Sequence, residues 1–137
     1  MTYSHVLVDT SVWVRVLRGH RPLIQRLGAL VDSGTALLIC GPVELELGVG
    51  RTRRNSDQAD RVLAGSRMIP LDPRIDFTEA AVLASLSRAA GRPIRSPMDC
   101  LIAQVAIRHD VTLVHVDRDF VAIAEVSSLR QESWLEE

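Results

Sequence analysis

A three-layer α/β/α fold around a short central parallel sheet is predicted by two features of the 137-residue sequence. Short apolar runs, each fit for a strand buried on both faces, recur at His5 to Asp9, Ala36 to Cys40, Met68 to Leu71 and Thr112 to Val116. Between them lie longer segments with helical spacing and helix start and stop signals. Such alternation demands crossover connections, and hence parallel pairing with helices on both faces of the sheet. With 47% hydrophobic residues the chain carries material for one core, so a single domain over residues 1–137 is expected.

The first run, His5-Val-Leu-Val-Asp9, closes on a carboxylate. Thr10 or Ser11 can cap the helix that follows, which carries Val12, Trp13, Val14 and Leu17 and ends near Gly19. Pro22 opens a second helix with Leu23, Ile24, Leu27, Leu30 and Val31, stopped at Ser33-Gly34. After the strand Ala36 to Cys40, Pro42 starts a helix through Val43, Leu45, Leu47 and Val49, and Gly50 to Asp57 reads as its end and a polar loop. A helix from Ser56 to Ser66 and a strand from Met68 to Leu71 come next. Pro73 then precedes a long helical stretch with Phe77, Ala80, Leu83, Ala84 and Leu86 that stops at Gly91. Ser96-Pro97-Met98-Asp99 opens the helix with the clearest signals, carrying Leu101, Ile102, Val105 and Ala106. The strand Thr112 to Val116 and a short helix from Arg118 to Glu125 complete the series.

Composition removes several chemistries. All 16 basic residues are Arg and none is Lys, which excludes P-loop nucleotide hydrolysis, Schiff-base catalysis and phosphatase schemes that use a lysine beside their carboxylates. The formal charge of −1 means that a nucleic-acid partner must meet a local basic patch. Cys40 and Cys100 fall in a strand and a helix without a close Cys or His at metal-site spacing, and are expected as reduced core residues. No apolar run approaches the roughly 20 residues needed to cross a bilayer. The start, Met-Thr-Tyr-Ser-His, lacks the basic and apolar regions of a secretion signal. A cytoplasmic protein with no membrane partner is expected.

Asp9 closes the first strand, Asp99 opens a helix and Asp117 closes a later strand. In an open parallel sheet ligands bind beyond the carboxyl ends of the strands, so Asp9 and Asp117 could face one crevice and Asp99 could reach it. Glu44 or Glu46 would supply a fourth acid. Carboxylates crowded together take up protons unless a cation such as Mg²⁺ or Mn²⁺ neutralises them, and such a site suits phosphodiester hydrolysis. Each acid also has a plainer role. Asp9 can cap the first helix, Asp99 completes a capping-box-like pattern with Ser96, and Asp117 or Asp119 can cap the last helix.

Four blocks carry a resemblance: Val8-Asp9-Thr10-Ser11-Val12-Trp13, Pro42-Val43-Glu44-Leu45-Glu46-Leu47-Gly48-Val49-Gly50, Ser96-Pro97-Met98-Asp99-Cys100-Leu101-Ile102-Ala103, and His115-Val116-Asp117-Arg118-Asp119-Phe120. In order and spacing they resemble the PIN domain, and within it the VapC-type toxins of bacterial toxin–antitoxin pairs. The resemblance implies a PIN-like fold and a metal-dependent endoribonuclease with Asp9, Glu46, Asp99 and Asp117 as catalytic acids. Asp9, Asp99 and Asp117 would hold one or two Mg²⁺ or Mn²⁺ ions. The family's Glu-apolar-x-x-Gly pattern fits both Glu44 with Gly48 and Glu46 with Gly50. The longer stretch through Arg51 favours Glu46 and leaves Glu44 in solvent. His115 stands where the family often has Thr or Ser, and Asp119 is expected as a capping or outer residue.

By the same resemblance the substrate is RNA, with tRNA or ribosomal RNA the usual targets, cut to a 3′-hydroxyl and a 5′-phosphate. A VapB-like antitoxin is implied as inhibitor, seated in part on apolar residues of the first two helices, and a homodimer is implied as the assembly. Arg51, Arg53 and Arg54, and separately Arg88, Arg92 and Arg95, are candidates for phosphate contacts or equally for solvated helix ends. With two Trp, two Phe and one Tyr, an aromatic stacking platform is not supported. The alternatives are a PIN nuclease of RNA processing and a non-catalytic binding scaffold whose acids serve only as caps.

Overall fold

In the computed structural model, which describes residues 3–135, strands β1 (His5–Val8), β2 (Ala36–Ile39), β3 (Arg67–Met68), β4 (Thr112–His115) and β5 (Gln131–Ser133) form one parallel sheet. Their order is β3-β2-β1-β4-β5. The central strands are apolar because both faces are covered: Val6, Leu7 and Val8 are wholly buried, and so are Leu113 and Val114. Helices α1 (Thr10–Leu17), α2 (Arg21–Asp32), α3 (Gly41–Val49) and α4 (Ser56–Gly65) connect β1 to β2 and β2 to β3. Helices α5 (Asp76–Ala89) and α6 (Pro97–His109) lead from β3 to β4, and α7 (Arg118–Glu125) leads to β5. Since the strand order reverses between β1 and β4, right-handed crossovers put α1 to α4 over one face and α5 to α7 over the other. The packing agrees: α1 contacts α2 and α3, whereas α5 contacts α6 and α7.

Every helix expected from the sequence is present, but two strands differ. The run Met68 to Leu71 yields only the two-residue β3, because its partner β2 ends at Ile39 and the chain turns into a helix at Gly41; the last pairing is the Ile69 amide to the Ile39 carbonyl, 2.9 Å. The strand β5 was not anticipated, since Gln131-Glu132-Ser133 shows no apolar alternation. It is an edge strand held by its flanks: Leu129 and Trp134 are buried, and the Arg26 guanidinium lies 4.6 Å from the centre of the Trp134 ring. Both cysteines are free and buried, as expected. Trp13, Leu23 and Leu27 pack into the core, while Ile24 and Val31 stay exposed on α2. No helix among the described residues is long and apolar enough to cross a membrane.

The break in strand order leaves a crevice between the carboxyl ends of β1 and β4. Three helices, α1, α6 and α7, begin there or beside it, so their positive N-terminal ends face the same region.

Candidate active site

Asp9 follows β1 directly and is 3% exposed. Its Oδ2 accepts the Ser11 amide at 2.9 Å, capping α1, while Oδ1 is buried without a hydrogen-bond partner among the described residues. Burial, and to a lesser degree the charge of Glu46, raises the Asp9 carboxyl to about 6 against the opposing pull of Ser11. Ser11 also ties the two strand ends together, because its Oγ accepts the Val116 amide at 3.1 Å.

Of the two glutamates, Glu46 is the one drawn inward. Its Oε1 accepts the hydroxyl of Thr10 at 2.8 Å, and Glu44 is exposed. The two side chains diverge because residues two apart on a helix point about 200° apart. Thr10, read from sequence only as a capping residue, is thus a partner of the acid; its position beside Asp9 was the available signal.

Asp99 lies in the first turn of α6, but the expected capping box does not form. The Ser96 side chain makes no cap bond, only its carbonyl meets the Asp99 amide at 3.1 Å, and the Asp99 carboxylate has no hydrogen bond to a described residue. Burial raises it to about 7, assisted by the charges of Asp9, Asp117, Glu46 and Asp119. Asp99 therefore stands electrostatically between the two groups of acids.

Asp117 caps α7 through Oδ1, which accepts the Asp119 amide at 2.9 Å. Its own amide donates to Nδ1 of His115 at 3.1 Å. That donation fixes the tautomer: the proton is on Nε2, which donates to Gln131 Oε1 at 2.6 Å. Burial lowers the His115 pKa, so the ring stays neutral and supplies the acceptor that a hydroxyl would otherwise provide. Asp119 is closer to the centre than expected. Ligand oxygens of Asp99, Asp117 and Asp119 all lie within 4.8 Å of one another. Arg95, expected as a phosphate contact or a solvated helix end, reaches the carboxylates of Asp117 and Asp119.

The donor set fits a hard divalent cation. It is all carboxylate, and Asp9 Oδ1 is buried with no hydrogen-bond partner among the described residues. The nearby thiol of Cys40 is pushed up to about 12 by burial, so it stays protonated and offers no thiolate.

A model of the PIN domain matches residues 6–126. The chain belongs to the PIN-domain family. It is 34% identical over 132 residues to VapC ribonuclease Mb1587 of Mycobacterium bovis and to ribonuclease VapC11 of Mycobacterium tuberculosis, covering 94% of this chain and 98% of each relative. This places it with the VapC ribonucleases of that family. The same PIN fold occurs in VapBC2 from Rickettsia felis bound to a DNA fragment from the promoter, with TM-score 0.76, 22% identity and coverage of 95% of this chain and 98% of that one. FitAcB from Neisseria gonorrhoeae gives 0.72 at 21% identity over 92% and 95% of the two chains.

The raised acids make the stability of this PIN domain depend on pH. In the folded chain Asp9 and Asp99 keep protons up to about 6 and 7, whereas in the unfolded chain both ionise near 3.8. Their contribution is therefore fully present below about pH 4 and is lost as pH rises through 6 and 7. Thermal melts of metal-free protein should give a midpoint that falls between pH 5 and pH 8, and Mn²⁺ should restore it more at pH 8 than at pH 5. A midpoint that rises over that interval would show that the acids do not share one crowded site.

Proposed function

We propose that this chain is a divalent-metal-dependent endoribonuclease and the toxin of a VapBC-type pair, working in the cytoplasm as a single domain. The observation that carries the reading is the set of acids at the carboxyl edge of β1 and β4, with a buried, unpartnered oxygen on Asp9 and ligand oxygens of Asp99, Asp117 and Asp119 within 4.8 Å of one another. Caps alone do not explain it, since Asp99 caps nothing.

Asp9, Asp99 and Asp117 would hold Mg²⁺ or Mn²⁺. Such an ion, when bound, supplies Lewis acidity toward the attacking water and offsets charge that builds on the phosphate. Asp9 and Asp117 each commit one carboxylate oxygen to a helix cap, which fixes the direction of the other. The Thr10 hydroxyl holds Glu46 through Oε1 and leaves Oε2 to accept a proton from a water molecule. Attack of water on phosphorus with departure of the 3′-oxygen, the ribose 2′-hydroxyl taking no part, would give a 3′-hydroxyl and a 5′-phosphate.

The basic side chains divide into two sets. Arg51 pairs with Asp60 at 2.7 Å and Arg92 with Glu125 at 2.6 Å, while no ion pair to a described residue engages Arg53, Arg54 or Arg88. The latter three are the phosphate contacts this reading assigns to an RNA substrate such as tRNA or ribosomal RNA. For the antitoxin, a groove of about 110 Å³ lined by Val14, Leu17, Arg18, Leu47 and Asn55 runs to Glu46. A peptide bound there would cover an acid of the site.

The test measures Mn²⁺ binding by calorimetry and cleavage of total cellular RNA, for the wild type and for Asp9→Asn. Wild-type binding and cleavage, both lost in a variant with an unchanged circular dichroism spectrum, support the reading. A wild type that binds no divalent ion and cuts no RNA in the pool refutes it.

A further inference from the structure

The acids of the site already have a cation. Arg95, in the segment leading into α6, donates from Nε to Asp119 Oδ2 at 3.3 Å and from Nη2 to Asp117 Oδ1 at 3.4 Å. Its backbone amide also donates to Asp119 Oδ2, at 3.4 Å. These are the two carboxylates that, with Asp99, bring ligand oxygens within 4.8 Å of one another. The guanidinium therefore occupies the electrostatic place that a metal ion would claim.

We propose that Arg95 is a built-in counter-cation of the carboxylate cluster, which a divalent ion must displace in order to bind. The inference rests on the metal-dependent reading above. Two cations cannot neutralise one set of oxygens at this range without repelling each other, and the favourable pairing of Arg95 with Asp117 and Asp119 is lost when the guanidinium leaves. The displacement is feasible because the Arg95 side chain is 79% exposed, so both ion pairs are in contact with water and individually weak. The backbone bond to Asp119 does not depend on the side chain, so the segment stays anchored when the guanidinium swings out. Arg95 thereby sets the metal concentration at which the site fills. It acts as a positioning residue, through the acids and not on the substrate.

Calorimetric Mn²⁺ titration of wild type, Arg95→Gln and Arg95→Lys tests this without reference to activity. Removing the charge should tighten Mn²⁺ binding about 3- to 10-fold, the worth of two exposed ion pairs, and Arg95→Lys should stay within about 2-fold of wild type. A second readout uses diamagnetic Mg²⁺. The Arg95 Nε–H resonance, assigned by its loss in Arg95→Gln, should shift on Mg²⁺ addition and exchange faster with water. Equal or weaker Mn²⁺ binding in Arg95→Gln, or an Nε–H signal untouched by saturating Mg²⁺, overturns the displacement while leaving the metal site standing. Failure of all three proteins to bind Mn²⁺ overturns both.

Discussion

Asp99→Asn should lower RNA cleavage by about 10³-fold or more and, at the same time, make the metal-free protein more stable. The two effects share one cause. Asp99 has no hydrogen bond to lose among the described residues, and it feels the charges of four other acids, which with burial hold its carboxyl at about 7. An amide of nearly equal shape keeps the packing and removes the charge. At pH 8 the relief is about 1–2 kcal/mol after allowing for partial solvent access, or a rise of roughly 5 °C in the melting midpoint. Added Mn²⁺ should then stabilise the wild type and not the variant. Differential scanning fluorimetry at pH 8, with and without Mn²⁺, reads all of this. An Asp99→Asn midpoint below that of the wild type would mean that the carboxylate is a structural element of the fold.

The opposite outcome is expected at Asp76, a buried acid outside the site that sits in a hydrogen-bond network. Asp76 is wholly buried at the start of α5, where Arg108 grips it with two bonds, Nε to Oδ1 at 2.8 Å and Nη2 to Oδ2 at 2.9 Å. Gln104 and the Asp72 amide add two more, at 3.3 and 2.8 Å. Burial pushes the carboxyl upward, but Arg108 and the other donors outweigh it and hold it below the usual range. Arg108→Met leaves that carboxylate buried with half its donors, at a cost of about 3 kcal/mol and about 10 °C in the melting midpoint. Its contribution is present above about pH 4 and lost as pH falls further, so the variant and the wild type should converge in acid. Replacing both residues, Asp76→Leu with Arg108→Met, should recover most of the loss in a denaturant titration. A single variant as stable as the wild type at pH 7 would rule out the pair as a clasp between α5 and α6.

The difference between these two acids shows what was legible in the sequence. Strands such as Val6 to Val8 and helices such as α6 announce themselves by local pattern, and the four blocks of the resemblance named Asp9, Glu46, Asp99 and Asp117 as the acids to examine. Asp76 and Arg108 gave no sign, because they are 32 residues apart and their pairing exists only once α5 lies against α6. The same holds for β5, whose polar residues form a strand only because Leu129 and Trp134 are driven into the core on either side. Asp119 was read as a cap, since sequence records its place at a helix start but not its distance from Asp99. The run Met68 to Leu71 was overread, because its apolar character does not record that the strand it pairs with ends at Ile39.

The late strand β5 has a consequence in time. The Asp117 backbone amide is held by His115, whose Nε2 is held in turn by Gln131, fourteen positions further along the chain than Asp117 itself. A polypeptide made from its N-terminus can fold its earlier strands first, but the His115 ring that holds the Asp117 amide has no partner for its Nε2 until Gln131 has paired beside β4. The backbone at Asp117 would therefore be held by a neutral, doubly engaged ring only once the edge strand has joined the sheet.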